Sequence, residues 1–126
     1  MSAAGASPRR VASRKLGLGT QRGRAGAHYD RAIELSDYQR LSRRTASYPR
    51  EAWLAYPALG LAGEAGEVAE HAKKAIRDDG GVVTEERRVA MAKELGDVLW
   101  YVSQLATELE LDLDEIAQAN LDKLLS

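Results

Sequence analysis

At 126 residues the chain suits one domain with one core. It contains no Cys and no Phe, and its 44% hydrophobic content is rich in Ala; this excludes disulfides and thiolate chemistry and favours close-packed helices over a β-sandwich. The net charge of −1 hides six basic and no acidic side chains in residues 1–26, which leaves the rest with 12 basic and 19 acidic residues, an acidic body that binds nucleic acid poorly.

Residues 1–28 are rich in Gly, Ala, Ser and Arg. Such a segment buries too little to offset its ordering entropy, so it is expected to be a disordered basic extension. Residues 29–126 are expected to form the folded domain. The first helix is predicted over 36–46, with Ser36 and Gln39 as a capping box and Leu35 as the staple residue. Pro49 breaks it. Tyr48, Trp53 and Tyr56 follow, either as core rings or as a stacking wall for a nucleobase.

A second helix is predicted over 57–77, with Pro57 in its first turn and Asp78-Asp79-Gly80-Gly81 as the stop. Thr84 is the expected N-cap of a third helix over 85–109. Asp112 and Glu115 predict another capping box, opening a fourth helix over 113–125. Its apolar face holds Leu113, Ile116, Ala117 and Leu124, with Asn120 among them as a buried amide seeking a partner. The fold class is all-α, a bundle of four main helices. Helices of this size leave apolar area uncovered, so at least a dimer is expected. No apolar run reaches the ~20 residues of a membrane span, and no secretory signal core is visible, which reads as a cytoplasmic protein.

Two stretches echo each other. Gly63-Glu64-Ala65-Gly66-Glu67-Val68 is followed by His71, and Lys93-Glu94-Leu95-Gly96-Asp97-Val98 by Tyr101. Carboxylates three residues apart share a helix face. Two such helices side by side would gather Glu64, Glu67, Glu94 and Asp97. Ordinary solvated acidic faces show the same spacing. Here, however, the acids sit in apolar stripes, Leu61, Val68 and Ala75 on one helix and Met91, Val98 and Leu105 on the other. Charges placed so are costly unless paired or metal-bound, and a hard dication such as Mg²⁺ suits an all-oxygen set. Gly66 and Gly96 lie mid-helix, where glycine costs about 1 kcal/mol, and imply close helix approach within the fold or between subunits.

From about Tyr38 to Leu124 the chain resembles the MazG-like nucleoside triphosphate pyrophosphohydrolases of the all-α NTP pyrophosphatase superfamily. The residues that carry the resemblance run Gly60-Leu61-Ala62-Gly63-Glu64-Ala65-Gly66-Glu67, Glu94-Leu95-Gly96-Asp97-Val98-Leu99-Trp100-Tyr101 and Asn120-Leu121-Asp122-Lys123-Leu124. The resemblance implies helical dimers or tetramers that bind Mg²⁺ through Glu64, Glu67, Glu94 and Asp97. It implies hydrolysis of an NTP or dNTP to the monophosphate and pyrophosphate, with water attacking the α-phosphorus. It further implies Lys123 as a phosphate ligand near Asn120, Tyr101 as a hydroxyl within reach of a phosphate, and Gln39 in the base pocket. The resemblance gives no warrant for His71 as a ligand. Two rival functions remain, hydrolysis of phosphoribosyl-ATP by a related helical family, and a non-catalytic nucleotide-sensing assembly.

Overall fold

The computed structural model describes residues 32–126, and the expectations for residues 1–28 lie outside them. Helix α1 spans Leu35–Arg43, α2 Ala55–Asp78, α3 Glu85–Glu108 and α4 Leu113–Leu125, with a 3-10 turn at Arg50–Ala52 before α2. Among the described residues there is no strand. The all-α expectation therefore holds, and each boundary falls within a few residues of its prediction.

Local chemistry explains most of the boundaries. The α2 stop is built by Gly80 and Gly81 at φ 63° and 79°, which let the Gly81 N–H return to the Ala75 carbonyl at 3.0 Å. Thr84 caps α3 by accepting from the Arg87 N–H at 3.2 Å. Asp112 caps α4, accepting from the N–H groups of Asp114 and Glu115. The start of α1 differs from expectation. Glu34 occupies the N-cap with no side-chain cap bond, and Ser36 lies inside the first turn. The Gln39 side chain, expected to close that box, is drawn to the distant α3–α4 turn instead. It donates to Thr107 Oγ1 and to the Leu111 carbonyl, and accepts from the Leu113 N–H at 2.9 Å.

The short turn between α2 and α3 folds them into a long antiparallel hairpin, the main packing interface of the molecule. Helix α1 lies on α3 and also touches α4. The α1–α3 seam is polar. Ser42 and Ser103 meet through their hydroxyls at 3.0 Å, and Gln104 donates to Ser42. Arg43 donates to Tyr48, Gln104 and Glu108, while the Tyr48 hydroxyl donates to Glu108. Buried polar groups persist when each is matched, as here.

The apolar core is small. Among the described residues the buried hydrophobic ones are Ala75, Ala106 and Leu113, while Leu59, Ile76 and Leu125 are each more than 70% exposed, at 73%, 75% and 82%. Among the described residues no helix is long and apolar enough to cross a membrane.

Candidate metal centre

The α2–α3 hairpin brings Glu64, Glu94 and Asp97 together. Each offers a carboxylate oxygen, and these oxygens all lie within 4.8 Å of one another. Glu64 and Glu94 are half-buried and Asp97 is exposed. Burial, a hydrogen bond shared with Glu94, and the charges of Asp97, Glu94 and Glu67 push the Glu64 carboxyl above its ordinary range. Crowded by its neighbours' charge, the Glu64 carboxyl gives up its proton less readily than a free one. Glu67 is exposed on α2 and stands outside the group of three, close enough for its charge to reach Glu64. An all-carboxylate set strained by its own charge fits a hard dication, which takes oxygen ligands and removes the repulsion.

Tyrosines surround the acids. The Tyr101 hydroxyl is held above its usual range by burial and by Tyr56, Glu64 and Asp97. The Tyr38 hydroxyl on α1 is raised by burial and by Asp97. Sequence inspection missed Tyr38, because α1 offered Gln39 as the more familiar polar candidate. The Tyr101 ring lies so close to Gly60 that a Cβ there would overlap it. Gly60 is therefore a helix glycine that the packing of α3 on α2 requires. Gly66 and Gly96 face open space, so the close approach expected of them does not occur within the protomer.

Four of the aromatic residues join into one chain. Tyr48 stacks on Tyr56 at 5.3 Å, and Trp100 meets both Tyr48 and Tyr101 edge-on. Trp100 Nε1 donates to Thr45 Oγ1 at 2.8 Å. Tyr48 is thereby a packing residue, whereas Trp53 and Tyr56 remain 43% and 46% exposed.

The other expected substrate contacts stand on α1 and α4, outside the α2–α3 hairpin. Asn120 and Lys123 are both exposed on α4, so Asn120 is not the buried amide the sequence suggests. Helix α4 packs chiefly on α1. Gln39 has both amide hydrogens committed to Thr107 and Leu111. His71 approaches the site from α2, its Nε2 standing 3.7 Å from Glu94 Oε1.

Comparison with known proteins identifies the family. A 95-residue stretch, 71% of the chain, is 46% identical to the "Gene 37 protein" of Mycobacterium phage L5 and covers 83% of that protein. No solved structure matches the chain. The profile of the MazG nucleotide pyrophosphohydrolase domain matches residues 57–126, which include both carboxylate helices and all of α4. The acids that converge on the α2–α3 hairpin lie inside that match, and the chain belongs to the MazG nucleotide pyrophosphohydrolase family.

Proposed function

We propose that the protein is a Mg²⁺-dependent pyrophosphohydrolase that cleaves an NTP or dNTP to the monophosphate and pyrophosphate. The observation that carries this is the convergence of Glu64, Glu94 and Asp97 from two helices within the family match. These three residues would hold the cation, with Glu67 one turn along α2 completing the set. A bound dication would supply charge neutralisation for the triphosphate as its α–β bond breaks.

The protein's own groups divide the remaining work. A carboxylate of the cluster that is not neutralised accepts the proton of the attacking water. The Tyr101 hydroxyl, beside Glu64 and Asp97, donates to a phosphate oxygen. The half-exposed rings of Trp53 and Tyr56 give flat area for the base. Lys123 and Asn120 have no side-chain bond or ion pair among the described residues and are free to meet phosphates. Gln39 anchors α1 to the α3–α4 turn, so its contribution is to place Tyr38.

The site works within an assembly. A protomer whose buried apolar residues are Ala75, Ala106 and Leu113 leaves long apolar helix faces to be covered by a second copy. The deciding experiment assays a panel of nucleotides for pyrophosphate release with and without Mg²⁺. Mg²⁺-dependent pyrophosphate release that disappears in Asp97→Asn is expected. Release of orthophosphate alone, or no hydrolysis of any nucleotide in the panel, would refute the proposal.

A further inference from the structure

A line of polar side chains runs from the α2–α3 turn to the acidic cluster. Asp79, at the C-cap of α2, accepts from Arg87 Nε at 2.6 Å. Arg87, in the first turns of α3, places Nη1 3.3 Å from His71 Nδ1. His71 Nε2 faces Glu94 Oε1 at 3.7 Å. The side chains of Asp79, Arg87, His71 and Glu94 are 19%, 17%, 20% and 24% exposed, so solvent screens the line only in part.

The direction of the line is fixed by chemistry. A guanidinium has five donors and no acceptor. His71 Nδ1 must therefore present its lone pair to Arg87, and the ring proton sits on Nε2, the nitrogen that faces Glu94. Asp79 holds Arg87, Arg87 sets the tautomer, and the protonated Nε2 is left on the side of Glu94, 3.7 Å from Oε1.

We infer that His71 is a positioning residue for the metal centre, oriented by the Asp79–Arg87 pair so that its Nε2 side keeps the Glu94 carboxylate in place for the cation. The inference rests on the metal-centre assignment above and extends it to groups outside the carboxylate set. A bland alternative is that Asp79 and Arg87 only staple the turn between the two helices. A staple contributes to stability alone. A positioning line contributes to cation affinity, as residues that hold metal ligands commonly do.

The test is calorimetric titration of the full chain with Mg²⁺ alone, paired with melting curves in chelator. His71→Ala is expected to weaken Mg²⁺ binding about tenfold, the lower end for loss of such a group. His71→Gln is expected to restore most of the affinity, because the amide N–H can reach where Nε2–H was. A recess of about 270 Å³ beside His71 and Arg87 gives the replacement room. Arg87→Met should weaken binding when His71 is present and add little in the His71→Ala background. Unchanged Mg²⁺ affinity in His71→Ala would overturn the inference while leaving the metal centre standing. So would a full additive effect of Arg87→Met in the absence of His71. If the unmodified protein binds no Mg²⁺, the metal centre and this inference fall together. Should Arg87→Met fail to fold, the comparison of His71→Ala with His71→Gln decides alone.

Discussion

Replacing Glu64 by Gln separates a cation site from a structural ion-pair cluster. Glu64 has Glu94 and Asp97 oxygens within 4.8 Å. Two unit charges at that distance repel by about 3.5 kcal/mol at an effective dielectric of 20 and by about 0.9 kcal/mol in water. The site is half-buried and Asp97 is exposed, so the lower figure is the safer guide. The amide can also donate to Glu94 the hydrogen bond that protonated Glu64 supplies. Relief of roughly 1 kcal/mol in a domain of this size corresponds to a melting rise of roughly 4–8 °C. The sign depends on pH. The folded-state pKa of Glu64 is raised above its unfolded value, so the native state binds more protons there, and stability is lost as pH rises through that window. Metal-free melting curves should therefore nearly coincide at about pH 4, below the ordinary Glu range, and separate by pH 8, with Glu64→Gln the more stable. Saturating Mg²⁺ should reverse the order, because it stabilises the unmodified site by mass action and the variant less. A Glu64→Gln protein that melts earlier than the parent at pH 8 in chelator would refute the repulsion argument.

Other consequences are open to direct measurement. Gly60→Ala forces the Tyr101 ring aside, so overpacking of about 1–3 kcal/mol should outweigh the roughly 1 kcal/mol of helix propensity gained, and near-UV circular dichroism should report the displaced ring. Glu108 is held below its ordinary range by Tyr48 and Arg43, so its contribution is present above the ordinary Glu range and lost as pH falls through the depressed value; Glu108→Gln should flatten that acid limb of a stability–pH curve. Sedimentation at micromolar concentration should show a dimer or larger species, and a stable monomer would contradict the assembly. Removal of residues 1–28, whose composition offers little to pack, should leave melting and pyrophosphate release unchanged.

Local signals in the sequence were sufficient for the helices. Thr84 and Asp112 cap where their types suggest, and Gly80-Gly81 ends α2 because positive φ is needed there. Long-range partners were not legible in this way. Ser36-x-x-Gln39 has the form of a capping box, yet Gln39 bonds across more than 60 residues of sequence to the α3–α4 turn, and no local pattern encodes that choice. The glycines show the same limit. Gly66 and Gly96 read as the costly mid-helix residues that imply close approach, but the register of α3 on α2 puts Gly60 against the Tyr101 ring instead. Glu67 repeats the point for charge, since three residues along a helix also turn a side chain part way off the Glu64 face, and within one protomer Glu67 stays out of the group of three.

The echo between the two carboxylate stretches acquires a physical meaning in the hairpin. Antiparallel packing puts the residue that follows one stretch beside the start of the other. His71, seven residues after Glu64, therefore meets Glu94, and Tyr101, seven after Glu94, lies near Glu64. The two ends of the cluster are matched in position and different in chemistry. At one end an imidazole N–H set by Arg87 faces a carboxylate. At the other a phenol packed on Gly60 stands between Tyr56 and the acids. An asymmetric substrate such as a nucleoside triphosphate needs such a difference, because its base and its terminal phosphate must be told apart. The phenol end continues into the Tyr48, Tyr56 and Trp100 rings, of which Tyr56 is exposed enough to meet a base, and the imidazole end leads into a charged turn. The triphosphate is thus expected to run from the aromatic end towards His71, with the carboxylates between.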